Sequence, residues 1–350
     1  MEPRWREGLE ARARELLPEP VFRYVQQGAR AGVSSGEAVA AWDRLRWTPR
    51  ILTDTSSVDL ATTALGTPIT APVAVAPTTL QRAVHPDGEL AMARAVAAEG
   101  SLVVVSSNAG TRFEHIGATG APWWVQCYLP RVRSLAEPLL ARAREAGARA
   151  VVLTVDTPVV GTKYDGAGAR VWDVVDPGLL RVNFDDGYDD HPGAAKAPDI
   201  GPADIGWLRE TTGLPVVVKG VLDGAGAVAA AEAGAAAVWV SNHGGRQLDG
   251  AIATADALHG VAEAVDRSGL SVELYVDGGI RAGWHVALAM ALGARVAFLG
   301  RSPLYAMADS GEAGVRRLLA ELRAELTETL RVAGCRTPAD ARGRAAPRPW

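Results

Sequence analysis

The sequence predicts an α/β protein: one (β/α)8 TIM barrel with an N-terminal helical appendage and a long loop after strand 4. Three observations carry this. From about residue 70, short apolar, β-branched runs alternate with alanine-rich segments of helical length, the pattern of βαβ units. Eight such runs can be counted. At 350 residues the chain also has room for a barrel of about 250 residues and an appendage of about 100. On pattern alone a doubly wound sheet is the main competitor.

The appendage spans residues 1–70. Trp5–Leu17 alternates charged and apolar side chains at helical spacing until Pro18 and Pro20 break it. Val21–Gly28 reads as a second short helix. Ser34-Ser35-Gly36-Glu37 resembles a capping box that opens a third helix over Ala38–Leu45. Within the barrel, taken as residues 71–335, the predicted strands are Val73–Ala76, Leu102–Ser106, Trp123–Tyr128, Ala150–Val155, Val216–Val218, Ala237–Ser241, Glu273–Val276 and Ala297–Leu299. Runs apolar on both faces fit buried parallel strands. Helices are expected over Gly88–Glu99, Val132–Ala146, Gly224–Ala233, Thr254–Asp266 and Trp284–Leu292. Residues 160–205 are rich in Gly, Asp and Pro without a clear period. A connection of that length suggests a lid or binding loop. Residues 336–350, rich in Arg, Ala and Pro, are expected to form a flexible tail.

Composition narrows the function. A hydrophobic share of 48% against 22% charged residues is an ordinary globular balance and excludes wholesale disorder. A net charge of −4 argues against nucleic-acid binding, which needs a dense basic surface. Two cysteines, Cys127 and Cys335, cannot build a disulfide framework. The first residues carry no apolar core of signal-peptide length, and no uncharged apolar run reaches 18 residues. A cytoplasmic enzyme without membrane segments or a metal site is expected. Only three lysines occur, Lys163, Lys196 and Lys219, so each draws attention.

Active sites of such barrels lie at the C-terminal strand ends. There the sequence places Pro77-Thr78-Thr79, Ser106-Ser107-Asn108, Gln126-Cys127-Tyr128, Thr154-Val155-Asp156, Lys219, Ser241-Asn242-His243, Asp277-Gly278-Gly279 and Gly300-Arg301. Asp277–Arg281 and Gly300–Arg301 follow the last two strands, where barrels often bind phosphate. Glycine backbone N–H groups and arginine forks suit that anion. In Ser241–Asp249, His243 and Arg246 can aim into one pocket, the histidine for proton transfer and the arginine for a carboxylate. The other five histidines lack such a setting and read as structural or surface residues.

Ala76-Pro77-Thr78, His85–Glu89, Leu153–Pro158, Val218–Val221, Ser241–Asp249 and Asp277–Arg281 together resemble the FMN-dependent α-hydroxy acid oxidase/dehydrogenase family, which includes glycolate oxidase, lactate oxidase and mandelate dehydrogenase. The similarity runs from about residue 15 to 330. It implies FMN as cofactor, with the flavin ring against Pro77, Thr78 and Thr79 and contacts from Ser106, Gln126, Thr154, Lys219 and Ser241. Lys219 would face the flavin edge where negative charge accumulates on reduction. The phosphate would lie on Asp277, Gly278, Gly279, Arg281, Gly300 and Arg301. His243 would be the base, with Asp156 orienting it. Tyr24, Tyr128 and Arg246 would hold the substrate. The implied reaction oxidises an (S)-2-hydroxy acid to the 2-oxo acid, by a hydride or a carbanion route. Tetramers or octamers are implied as well.

Three positions depart from the family pattern. Lys163 stands where a second substrate arginine is usual and loses its planar fork. Thr79 replaces a small residue beside the flavin, and Asn108 replaces a frequent pocket aromatic. The pocket is then more polar or more open, which favours a bulky or aryl acid over glycolate, with Trp172 and Tyr188 of the long loop closing over it. Lys163 also leaves room for a rival substrate that is not a free acid. A non-catalytic FMN or phosphate barrel conflicts with the intact His243, Arg246, Lys219, Asp156 and Tyr24. The electron acceptor is left open between oxygen, a quinone and a carrier protein.

Overall fold

The computed structural model describes residues 5–164 and 168–347. Residues 165–167 of the expected lid loop and 348–350 of the expected tail lie outside the described residues.

Eight parallel strands close into a barrel: β1 (Val73–Val75), β2 (Val103–Ser106), β3 (Trp123–Cys127), β4 (Val151–Thr154), β5 (Val216–Val221), β6 (Ala237–Val240), β7 (Glu273–Val276) and β8 (Val296–Leu299). β8 pairs with β1 and completes the ring. The predicted strands hold to within about two residues at most ends. β5 runs on to Val221, through a bulge between Lys219 and Val221.

Alternate side chains along a strand point to opposite faces. The inward ones form an interior cluster that includes Val104, Trp124, Val152, Val217, Trp239, Tyr275 and Phe298, distinct from the outer core beneath the helices. Trp239 and Phe298 rings lie 3.8 Å apart, and Trp124 and Tyr275 rings 5.7 Å apart. These aromatics plug the barrel and make its floor. Two residues further along the same inward face come Ser106, Gln126, Thr154, Lys219, Ser241 and Asp277. The site is therefore one pleat above an aromatic floor, as the strand periodicity requires.

Sequence expectations need correction in three places. The third helix begins at Val33, because Gly32 turns left-handed at φ +76°. Ser34 therefore caps nothing. Its hydroxyl donates to the Ala251 carbonyl at 2.8 Å and ties the appendage to the barrel. The long connection has structure of its own: a helical turn at Val171–Val174 and a helix from Pro202 to Thr212. The tail is not free through residue 347. Ala345–Pro347 pairs antiparallel with Leu45–Trp47, and Thr337 caps a short turn over Pro338–Ala341. Backbone pairing and the buried Ala341 supply what its polar composition hid.

A helix over Arg301–Val332, broken at Ser310-Gly311, was not anticipated. It packs on the first helix of the appendage, where Arg6 meets Glu325 at 2.6 Å and Arg12 meets Asp309 at 2.6 Å.

The floor gives the first prediction. Trp239→Ala empties a fully buried site and should cost about 3–5 kcal/mol in denaturant unfolding. Trp172→Ala, at a residue 54% exposed, should cost less than about 1 kcal/mol. Equal losses would overturn the account of the floor.

Candidate active site

A cavity of about 550 Å³ opens above the floor. It is lined by Tyr24, Pro77, Thr78, Thr79, Ser106, Asn108, Gln126, Tyr128, Thr154, Lys163, Lys219, His243, Arg246, Asp277, Gly278, Gly279, Arg281, Gly300 and Arg301. Of the residues given a role by the family resemblance, only Asp156 and Ser241 do not line it. Both act from behind the wall.

Lys219 and Asp277 form a buried ion pair at 3.1 Å. Ser241 joins them: its hydroxyl accepts from Lys219 Nζ and donates to Asp277 Oδ1, each at 2.7 Å. It also accepts the His243 N–H at 3.1 Å. Ser241 was expected to contact the cofactor. In the structure it is a fully buried link among three site residues. On the opposite wall Ser106 Oγ donates to Gln126 Oε1, and Gln126 Nε2 donates to Thr154 Oγ1. The strand registers Ser106 with Gln126 and Thr154 with Lys219 put these groups level.

His243 sits at φ +58°, followed by Gly244 and Gly245 at +64° and +72°. This left-handed run turns the imidazole back towards β4, where Nδ1 meets Asp156 Oδ1 at 3.0 Å. Asp156 can come so close because residue 220 is glycine, φ +115°. A Cβ there would fall 2.7 Å from the Asp156 Cβ. Burial lowers the His243 pKa, and Lys219 and Arg246 add to that, while Asp156 opposes them. The imidazole is thus kept neutral and able to accept a proton. Burial works against the Asp156 carboxylate, yet His243, Lys219 and Thr157 hold its pKa below the ordinary value. Asp156 Oδ2 is buried without a partner.

The appendage supplies more than Tyr24. Arg246 Nη1 donates to the carbonyls of Tyr24 and Gln27 at 2.7 and 2.8 Å, with the guanidinium 4.9 Å from the Tyr24 ring centre. Arg301 donates to the carbonyls of Val25 and Gly244 at 3.1 and 3.0 Å. Lys163 donates to the carbonyls of Gly161 and Arg246. It braces the loop that carries Arg246 while also lining the cavity.

The last loops gather groups that would suit an anion. Neither Arg281 nor Arg301 is ion-paired among the described residues. Burial lowers both pKa values, that of Arg301 to about 10. Gly300 is the N-cap of the Arg301–Val332 helix and makes no side-chain cap. Trp42 donates to the Gly278 carbonyl at 2.8 Å, and Thr254 to that of Asp277 at 2.6 Å. Two unpaired buried cations beside a helix N-terminus and fixed glycines fit a phosphate. His285, expected to be merely structural, accepts the Arg281 N–H at Nδ1 and meets Asp43 at Nε2.

The family profile of the FMN-dependent dehydrogenases matches residues 13–346. The chain belongs to the FMN-dependent dehydrogenase family. Its cofactor is FMN, and the protein is an oxidoreductase. It is 39% identical to Glycolate oxidase 3 of Arabidopsis thaliana over 336 residues, covering 93% of this chain and 90% of that one. It is 36% identical to 2-Hydroxyacid oxidase 1 of Homo sapiens over 343 residues, covering 93% and 91%. Among solved structures it is similar to a mandelate oxidase with benzoyl-formic acid, at TM-score 0.88 and 36% identity over 97% of both chains. A mandelate oxidase variant with a C4a-OH-FMN adduct matches at TM-score 0.87 and 36% identity, over 97% of this chain and 98% of that one.

Sequence reasoning missed several members of the wall. The Tyr24–Gln27 carbonyls carry no side-chain signal. Lys196 and Arg181 line the cavity, and only the scarcity of lysine pointed to the former. Trp172, expected to close over the pocket, does line it, edge-on to Tyr24 at 5.4 Å. Tyr188, expected beside it, packs instead against Phe184 with tilted rings in an outer groove, because Arg181 and Phe184 hold it there.

Asp156→Asn removes the influence that raises the His243 pKa. The acid limb of kcat/KM, expected below pH 6.5 in the wild type because the pKa is lowered, should then move to still lower pH. The maximal rate should fall as the imidazolium loses its partner. A limb displaced upward would contradict the assigned electrostatics.

Proposed function

We propose that this enzyme oxidises an (S)-2-hydroxy acid with a bulky or aryl side chain to the 2-oxo acid. The observation that carries the reading is a neutral, Asp156-bound imidazole and the Arg246 guanidinium on one cavity above a buried Lys219. When bound, FMN supplies the two-electron acceptor. Pro77, Thr78, Thr79, Ser106, Gln126, Thr154 and Lys219 would hold its ring system. Gly278, Gly279, Arg281, Gly300 and Arg301 would hold its phosphate, with Asp277 fixing the loop.

His243 Nε2 accepts the proton of the substrate hydroxyl, and Asp156 stabilises the imidazolium that forms. Arg246 has one nitrogen committed to main-chain carbonyls, and the rest of its fork grips the carboxylate. Tyr24 and Tyr128 orient the substrate. Burial raises the Tyr128 pKa, so its phenol remains a neutral donor. Thr79 donates to the Asn108 carbonyl at 3.3 Å, which couples two of the three departures from the family pattern. Asn108 in place of an aromatic leaves side-chain room that favours the bulky acid.

The family resemblance supports a homotetramer or octamer. Among the described residues no helix is long and apolar enough to cross a membrane. A second reading, a substrate that is not a free acid, draws support from Lys163, whose ammonium is turned to two carbonyls.

Anaerobic bleaching of the flavin by a panel of aliphatic and aryl 2-hydroxy acids tests the reaction. No bleaching by any acid, with FMN bound, would reject it for the second reading. His243→Ala should retain FMN and lose at least about 100-fold in reduction rate. Reduction at the wild-type rate would remove the histidine from its role. Arg246→Met should raise KM for acids by about 10- to 100-fold. An unchanged KM would tell against carboxylate capture.

A further inference from the structure

Lys196 has no place in the reaction derived above. The segment around it runs antiparallel to the chain leaving β3. Arg131 donates to the Ala195 carbonyl, Ala197 donates to that of Leu129, each at 2.9 Å, and Lys196 bridges Pro130. This pairing fixes the lysine above Tyr128, with Nζ 3.7 Å from the ring centre. Among the described residues the ammonium makes no ion pair and no hydrogen bond.

A ring face replaces only part of the hydration of such a strongly hydrated cation. Burial accordingly lowers the Lys196 pKa to about 8, and Arg181 adds to this; Asp156 is the one anion that opposes it. The Asp156 charge is already committed to His243.

Two neighbours share this unmet polarity. The Asn108 side-chain amide makes no hydrogen bond among the described residues, and the Asn108 carbonyl accepts the Arg181 N–H at 3.4 Å. Arg181 is fixed by Asp189 at 2.8 Å and by the faces of Phe184 and Tyr188, yet its Nε is buried without a partner. All three residues line the cavity. Arg246 stands apart from them on the carbonyls of the appendage.

We propose that Lys196, with Asn108 and Arg181, forms a second anion subsite that takes a carboxylate on the side chain of the substrate. The preferred substrate class is then a 2-hydroxy acid bearing a second, distal carboxylate. Arg246 would hold the carboxylate beside the reacting carbon, and Lys196 would hold the far one. This rests on the hydroxy acid reading and narrows its substrate. Closure of the charge pair restores the ammonium's partners and returns the Lys196 pKa towards its ordinary value.

The test compares 4-carboxymandelate with mandelate in flavin reduction by the FMN-loaded enzyme. The wild type should favour the diacid in kcat/KM. Lys196→Met should lower the diacid-to-monoacid ratio about ten-fold, the worth of one charged hydrogen bond. Lys196→Arg should keep the preference. A ratio unaltered by K196M, or a wild type that favours the monoacid, would overturn the subsite. Calorimetric binding of the unreactive pair 4-carboxyphenylacetate and phenylacetate separates the two proposals. If neither mandelate nor any other 2-hydroxy acid of the panel bleaches the flavin, the oxidation reading fails. Tighter diacid binding that K196M abolishes would still support the subsite, and equal binding of the two acids would overturn it.

Discussion

Everything at the mouth of this barrel is placed by the contact among Trp124, Trp239, Tyr275 and Phe298 below it. Four large rings fill the interior and leave no room for the polar layer to sink. Because each strand has a side-chain period of two, the next inward positions must hold whatever the cavity needs. Gln126 follows Trp124, Ser241 follows Trp239, Asp277 follows Tyr275 and Gly300 follows Phe298. The level of Lys219 is set the same way from Val217. A shift of one residue in any strand would turn its polar group into the outer helical layer. The floor thus converts a backbone regularity into the vertical position of chemically active groups.

Above that floor the main electrostatic problem is an excess of cations in a confined space. Lys219 is neutralised by Asp277. Arg246 and Arg301 are steadied by main-chain carbonyls, which stabilise a guanidinium without cancelling its charge. Among the described residues the Arg281 guanidinium donates only to the carbonyl of its neighbour Ile280. Burial lowers the pKa values of Arg281 and Arg301, and for Arg301 the neighbouring Arg246 and Arg281 add to it. A bound FMN phosphate would supply the missing charge there, which would link cofactor binding and the integrity of this end of the barrel through the same two side chains.

How much of this was legible in the sequence depends on what each residue does with its side chain. The strands were visible because buried parallel strands are continuously apolar. His243, Arg246 and the two glycine–arginine loops were visible because their side-chain chemistry is uncommon at strand ends. Ser241 was legible as a strand-end hydroxyl, but its place between Lys219 and Asp277 was not, since such a hydroxyl reads the same whether it faces a ligand or a lysine behind the wall. The carbonyls of Tyr24, Val25 and Gln27 left no trace, because every residue has one and only tertiary packing aims it. Tail pairing was hidden for the same reason: Ala345–Pro347 contributes main-chain hydrogen bonds to Leu45–Trp47 that its polar, proline-rich composition does not advertise. Lys196 lay in a segment without periodicity, where spacing carries no direction.

The pairing of Ala345–Pro347 with Leu45–Trp47 has a bearing on how the molecule is made. Translation delivers the Tyr24–Gln27 carbonyls first, and Arg246 and Arg301, which they serve, much later. The start of the appendage must wait for Glu325 and Asp309, and Leu45–Trp47 waits for Ala345–Pro347. The wall that encloses the cavity is therefore assembled from segments far apart in the chain. Its closure follows the emergence of the barrel strands between them.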